Sequence, residues 1–219
     1  MYRKLFAAAT MLAVSASIAT AQSVSLSSNG SPIGGFGPGP NGVPGVGQVF
    51  TAGDNYLTNF GFFLTNDPNT DMNGVGSNLQ FRAYVYGFDG STVTGTALYT
   101  SPVTSGTDAT DFQQYLFNTG FTPLVPGNMY VAFLSTAGVT QSGIGFNSFA
   151  GTDDAYSGGD FVFDYGDGSF TDPNTIGDGG APMAFNAAFA TTTPEPSELA
   201  LLAPALLGLV PVVRRKMRV

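Results

Sequence analysis

The sequence predicts an all-β fold: one antiparallel β-sandwich with processing segments at both ends. Three observations carry that expectation. First, Gly is abundant, aromatics make up 13% of the chain and charged residues only 10%. Short strands joined by Gly-rich turns give that balance, whereas a helical chain would use more Ala, Glu and Lys. Second, apolar residues recur every second position in several segments, which places them on one face of a strand. Third, turn signals follow one another at short spacing, and no stretch between Gln22 and Thr193 shows a helical period with caps.

In chain order, residues 1–21 come first. A short basic start (Arg3, Lys4), an apolar stretch from Phe6 to Ala19 and an Ala19-Thr-Ala21 triplet read as a secretory signal peptide, cleaved between Ala21 and Gln22. Residues 22–47 read as a Gly/Pro-rich N-terminal arm, because Pro38, Pro40 and Pro44 disfavour regular elements. The Gly-rich run there lacks the flanking strand and helix of a phosphate-binding loop. Asn29-Gly-Ser31 matches the short acceptor pattern for glycosylation.

Residues 48–190 form the predicted sandwich domain. Strands are expected at Gln48–Thr51, Tyr56–Leu64, Leu79–Phe88, Thr92–Thr100, Phe112–Phe117, Met129–Ser135, Ile144–Phe149, Asp160–Tyr165 and Met183–Phe189. The clearest alternation sets Leu79, Phe81, Ala83 and Val85 against Gln80, Arg82, Tyr84 and Tyr86. Asp89-Gly90 and Pro126-Gly-Asn128 mark tight turns. The predicted core comprises Phe60, Phe62, Leu79, Phe81, Val85, Phe117, Val131 and Phe133. Each contributes roughly 1.5–3 kcal/mol on burial, enough for a domain that has no disulfide, since the chain contains no Cys.

Charge narrows the function. Between Gln22 and Thr193 the only basic residue is Arg82, set against thirteen Asp and no Glu, a formal charge of −12. Such a field repels phosphate backbones, so nucleic acid is excluded as a partner. Lys, the usual guard of exposed strand edges, is missing from this domain, leaving Asp to supply repulsion. Acidic pH or high salt should therefore promote self-association. Without His or Cys the chain has no serine-protease triad, thiol nucleophile or ordinary zinc site, and no Asp pair stands out for glycoside hydrolysis. The expectation is a non-enzyme.

Two binding sites are candidates. Asp153, Asp154, Asp160, Asp164, Asp167, Asp172 and Asp178 crowd into one Gly-rich stretch, and calcium takes oxygen ligands from such loops. Asp160, Asp164, Asp167 and Asp172 are the candidate ligands, although the stretch departs from the EF-hand pattern. The other reading is a solvated acidic loop. For a carbohydrate, Tyr84, Tyr86, Tyr99 and Tyr130 are the candidate stacking residues, against the plainer reading of cross-strand packing.

The C-terminal segment, residues 191–219, has three zones: Pro194-Glu195-Pro196, an apolar span from Leu199 to Val213, and the basic residues Arg214, Arg215, Lys216 and Arg218. The span holds 15 residues, where a stable bilayer crossing needs about 20, and Pro204 and Pro211 weaken it as a helix. A segment that crosses transiently, with its basic end in the cytoplasm, fits better than a permanent anchor. This order of zones resembles the PEP-CTERM sorting signal of exported bacterial proteins. The resemblance implies a short transmembrane helix and recognition of Pro194, Glu195 and Pro196 by an exosortase after signal peptidase has acted. It also implies a Gram-negative, exopolysaccharide-producing host and release to the cell surface or extracellular matrix. Thr191–Thr193 resembles the Thr-rich approach of such tails and is a candidate for O-linked sugar. The Gln48–Thr51, Leu57–Phe60, Ala97–Ser101 and Leu124–Val131 segments are similar to the jelly-roll domains many of these proteins carry. The functional expectation is a structural or adhesive protein in a biofilm context, with a calcium- or carbohydrate-binding module as the alternative.

Overall fold

A computed structural model of the chain describes residues 23–38, 42–66 and 76–191. The signal-peptide segment with its Ala21/Gln22 junction and the C-terminal sorting segment lie outside the described residues. Within them the chain is all-β. Thirteen strands run in order: β1 (Ser23–Leu26), β2 (Pro32–Phe36), β3 (Gly45–Thr51), β4 (Tyr56–Thr65), β5 (Gln80–Phe88), β6 (Val93–Thr100), β7 (Thr104–Ser105), β8 (Gln113–Pro123), β9 (Met129–Ser135), β10 (Asn147–Ala150), β11 (Phe161–Asp164), β12 (Ile176–Asp178) and β13 (Phe185–Ala190). One 3-10 turn, Gly76–Asn78, precedes β5.

The strands form two antiparallel sheets. In the six-stranded sheet the order is β1-β13-β4-β10-β2, with β8 on the other edge of β4. In the seven-stranded sheet it is β12-β11-β3-β9-β5-β6, with β7 on β5. Aromatic pairs join the facing sheets: Phe36 with Phe81, Phe50 with Phe185, Phe60 with Tyr99 and Phe149 with Phe161, all with ring centroids within 6.0 Å. Offset and edge-on pairs of this kind add specificity to the burial of large apolar area. The alternation of β5 holds as expected, with Leu79, Phe81, Ala83 and Val85 fully buried. Phe60, Phe62 and Leu64 of β4 are likewise inside.

Two expectations are corrected. Of the expected arm, residues 22–47, the described residues 23–38 and 42–47 are not apart from the domain: β1 pairs with β13, β2 with β10, and β3 already begins at Gly45. Among the described residues the prolines are accommodated at or near strand boundaries. Pro32 opens β2, Pro38 follows its end, and Pro44 directly precedes β3. Glycine gives the close fit: a Cβ on Gly34 would stand 2.4 Å from the Phe149 ring. The second correction concerns Val131 and Phe133. Both are buried, but in a separate cluster with Val49, Val162 and Phe170, while Tyr130, Ala132 and Leu134 face the six-stranded sheet. A strand covered on both faces buries both of its alternating sets, so period two alone does not say which set meets the facing sheet.

Candidate functional site

The second cluster covers part of the outward face of the seven-stranded sheet. On the outward face of the seven-stranded sheet, Tyr84 and Tyr86 of β5 stack beside Phe133 of β9, with centroids at 5.2 and 5.7 Å. The loop from β11 to β12 folds back over them and inserts Phe170, whose ring lies 4.5 Å from that of Phe133. Burial raises the Tyr84 hydroxyl pKa, with Arg82 beside it opposing the shift.

Asp164 shapes this loop. It ends β11 with 1% of its surface exposed. One carboxylate oxygen accepts from the Gly166 N–H at 2.7 Å and the other from the Phe170 N–H at 2.9 Å. Ser135 Oγ, on β9, donates to the Gly168 carbonyl at 2.7 Å and ties the loop to the sheet. The remaining candidate ligands turn to their own neighbours. Asp167 accepts from the Ser169 N–H, and the Ser169 donors hold its carboxyl below the usual range. Asp172 accepts from the Asn174 N–H and side-chain amide. Asp160 stands apart on a cleft wall. Asp153 and Asp154 accept from Asn29 and Ser27. Among the described residues no three His, Cys, Asp or Glu side chains are grouped to hold a metal ion. The acidic stretch thus contains a set of side chain-capped turns, the local bonding that Asp favours in loops.

The four tyrosines do not share a face. Tyr84 and Tyr86 lie outward, whereas Tyr99 packs against Phe60 and Tyr130 against Phe50. The Tyr130 hydroxyl is occupied at 2.8 Å by the Val125 N–H.

A cleft of about 360 Å³ lies beside the Phe170 loop. Phe88, Val49, Met129, Val162 and Ile176 supply its apolar lining, and Asp160 and Asp178 its carboxylates. Asp178 sits opposite Val162 in the β11–β12 pair. Sequence reasoning placed both carboxylates in the acidic stretch but had no signal for Phe88, which arrives from the β5–β6 hairpin. It also missed Gln48, fully buried, whose amide donates to Val49 and Gly159 carbonyls and accepts from the Met183 N–H. The chain matches no family model, no curated protein and no solved structure.

Proposed function

We propose that this chain is an exported bacterial cell-surface or extracellular-matrix protein with a structural or adhesive role, sorted through a PEP-CTERM-type tail. The observation that carries the reading is the tail itself: Pro194-Glu195-Pro196, an apolar span too short for a stable anchor, then four basic residues. Signal peptidase acts at Ala21/Gln22, the C-terminal segment enters the inner membrane transiently, and an exosortase recognises the Pro-Glu-Pro motif. Exopolysaccharide is the proposed surrounding. The domain takes a jelly-roll-like arrangement. In support, the chain crosses between the two sheets at the β2–β3, β3–β4, β4–β5, β7–β8, β8–β9, β9–β10, β10–β11 and β12–β13 connections. Asp164, Asp167 and Asp172 are engaged in turns, which favours a non-catalytic role for them.

Mass spectrometry of the protein recovered from the cell surface tests this. The expected product starts at Gln22 and ends near Pro196; recovery of a chain ending at Val219 from the surface overturns the reading.

A second reading, a glycan-binding module, is favoured by the 360 Å³ cleft, where the half-buried Phe88 stands near Asp160 and Asp178. An aromatic face and carboxylate acceptors suit a sugar ring and its hydroxyls. Calorimetry with neutral oligosaccharides should show heat that disappears in Phe88→Ala, and no heat with any neutral glycan removes this reading.

A further inference from the structure

We propose that two copies of this chain associate through the outer edge of β8, joining their six-stranded sheets into one continuous antiparallel sheet. The partner is a second copy of the chain, and the contact is centred on Leu116.

Charge distribution is the first argument. None of the six strands β1, β2, β4, β8, β10 and β13 contains a charged residue. The strands of the other sheet hold Arg82, Asp164 and Asp178. Among the described residues every other aspartate lies in a connection. Two copies carrying a charge of this sign repel each other over most orientations, least where uncharged sheet meets uncharged sheet.

Edge geometry is the second. Among the described residues β8 pairs only with β4, so its other edge has no strand partner. The remaining edges are blunted in ways that discourage pairing. β1 and β12 are short, at 4 and 3 residues. β2 is followed by a segment whose Val43 N–H bonds back to Gly35. β6 slips register opposite Tyr86, with Gly95 at φ +71°. By contrast, Gln113 to Asn118 of β8 runs in unbroken register against Leu64 to Asn59. It has no Pro, no charge and two β-favouring aromatics, Tyr115 and Phe117, on either side of Leu116. Beyond it, Gly120 and Phe121 both take positive φ and Pro123 ends the strand, which confines pairing to this stretch.

Side-chain register is the third. A two-fold axis normal to the sheet reverses the strand and keeps its faces, so each residue meets one of its own set. With the axis at Leu116, which is 61% exposed, Leu116 meets its own copy, Tyr115 meets the copy's Phe117, and Gln114 meets the copy's Asn118. Apolar, aromatic and amide pairs all match. Moving the axis to Tyr115 sets Gln114 against Leu116 and Gln113 against Phe117 and loses that match. Because both copies use the same edge, the contact closes as a dimer. The inference does not depend on the sorting tail, since failure of C-terminal processing would leave the β8 edge as it is.

Site-directed cysteine cross-linking of the full chain tests it, in a background free of cysteine. Opposed Cα atoms in an antiparallel pair lie about 4.5–5.5 Å apart, within disulfide reach. Under mild oxidation Leu116→Cys should run at doubled mass on a non-reducing gel. Gln114→Cys, about 14 Å from its own copy in this register, should stay monomeric, as should Val125→Cys, an equally exposed position away from the edge. Leu116→Lys should sediment as monomer where the wild type sediments as dimer, with the far-ultraviolet circular dichroism of the folded chain retained and the melting temperature lowered only by the lost association. A Leu116→Cys chain that stays monomeric, cross-linking of Val125→Cys to the same extent, or a Leu116→Lys chain that still sediments as dimer overturns the proposal. Equal cross-linking of Gln114→Cys overturns the Leu116-centred register.

Discussion

Phe170 packs its ring 4.5 Å from that of Phe133 while holding a left-handed backbone, φ +58°, that non-glycine residues seldom adopt. The strained conformation turns the side chain down onto the sheet, and the N–H of the same residue is held by Asp164 at 2.9 Å. Burial of the ring offsets the backbone cost. Replacing Phe170 with Ala should therefore remove about 3–5 kcal/mol of stability, read from the denaturant midpoint. It should also change the near-ultraviolet tyrosine signal of Tyr84 and Tyr86, which lose their cover.

Asp164 belongs to the same device, and its occupancy decides the response to calcium. Both carboxylate oxygens already accept backbone N–H groups in the loop, and among the described residues no group of three His, Cys, Asp or Glu side chains forms around it. Millimolar calcium, or its removal by a chelator, should leave the melting temperature of the wild type unchanged. Asp164→Ala should cost about 1–3 kcal/mol for each buried N–H left without an acceptor, with or without calcium. A melting temperature that rises with calcium in the wild type and not in Asp164→Ala would show a metal site built on this carboxylate.

Much of the fold was legible because one physical rule writes it plainly. Where one face of a strand meets the core, alternation names the buried set, as it does for Phe60, Phe62 and Leu64 on β4 and for Leu79 to Val85 on β5. The rule fails on β9, because the Phe170 loop covers its second face and both sets are apolar. It also fails at β1 and β2, where partners distant in sequence supply the pairing, and at β12, whose three residues leave no period to read. The candidate site was legible only in composition. Aspartates at short spacing suit a metal loop and a series of capped turns equally well, and the choice depends on φ values and N–H directions. The cleft at Phe88 depends on tertiary packing between a hairpin and a strand almost ninety positions apart, which sequence spacing does not encode.

Acid should loosen the N-terminal strands first. Asp154 accepts from the Ser27 N–H at 2.6 Å, just past the end of β1, and that bond holds its carboxyl below the usual range. Asp89, Asp108 and Asp167 are lowered in the same way, by donors at Thr92 and Ser91, at Ser77 and at Ser169. A carboxyl depressed in the folded state contributes stability that is present above its unfolded pKa, about 3.9. That contribution is lost as pH falls through the lower folded value. Melting temperature should thus decline below about pH 4. Asp154→Asn should start lower at neutral pH and decline less steeply; a parallel curve would contradict the assignment.

Asn147 offers the reverse sign. It is fully buried on β10 and grips one residue with both ends of its amide, accepting from the Thr107 N–H at 3.0 Å and donating to the Thr107 carbonyl at 2.8 Å. The surroundings leave no room to adjust: a Cβ on Gly76 would fall 1.8 Å from the Thr107 carbonyl oxygen, and one on Gly106 2.3 Å from Asn147 Oδ1. In Asn147→Asp the acceptor survives, but an ionised carboxylate faces the Thr107 carbonyl with no proton to give. A neutral carboxylic acid restores the donor. The folded pKa of the new group must then lie above its unfolded value, so the stabilising neutral form is present at low pH and lost as pH rises. At pH 7 the variant should lose about 3 kcal/mol or more against wild type, and the difference should shrink toward pH 4. Asn147→Ala removes both bonds at every pH, so its deficit should stay constant. Denaturant titrations of the three proteins at the two pH values decide the matter, and a deficit in Asn147→Asp that is the same at both would contradict the paired amide contact.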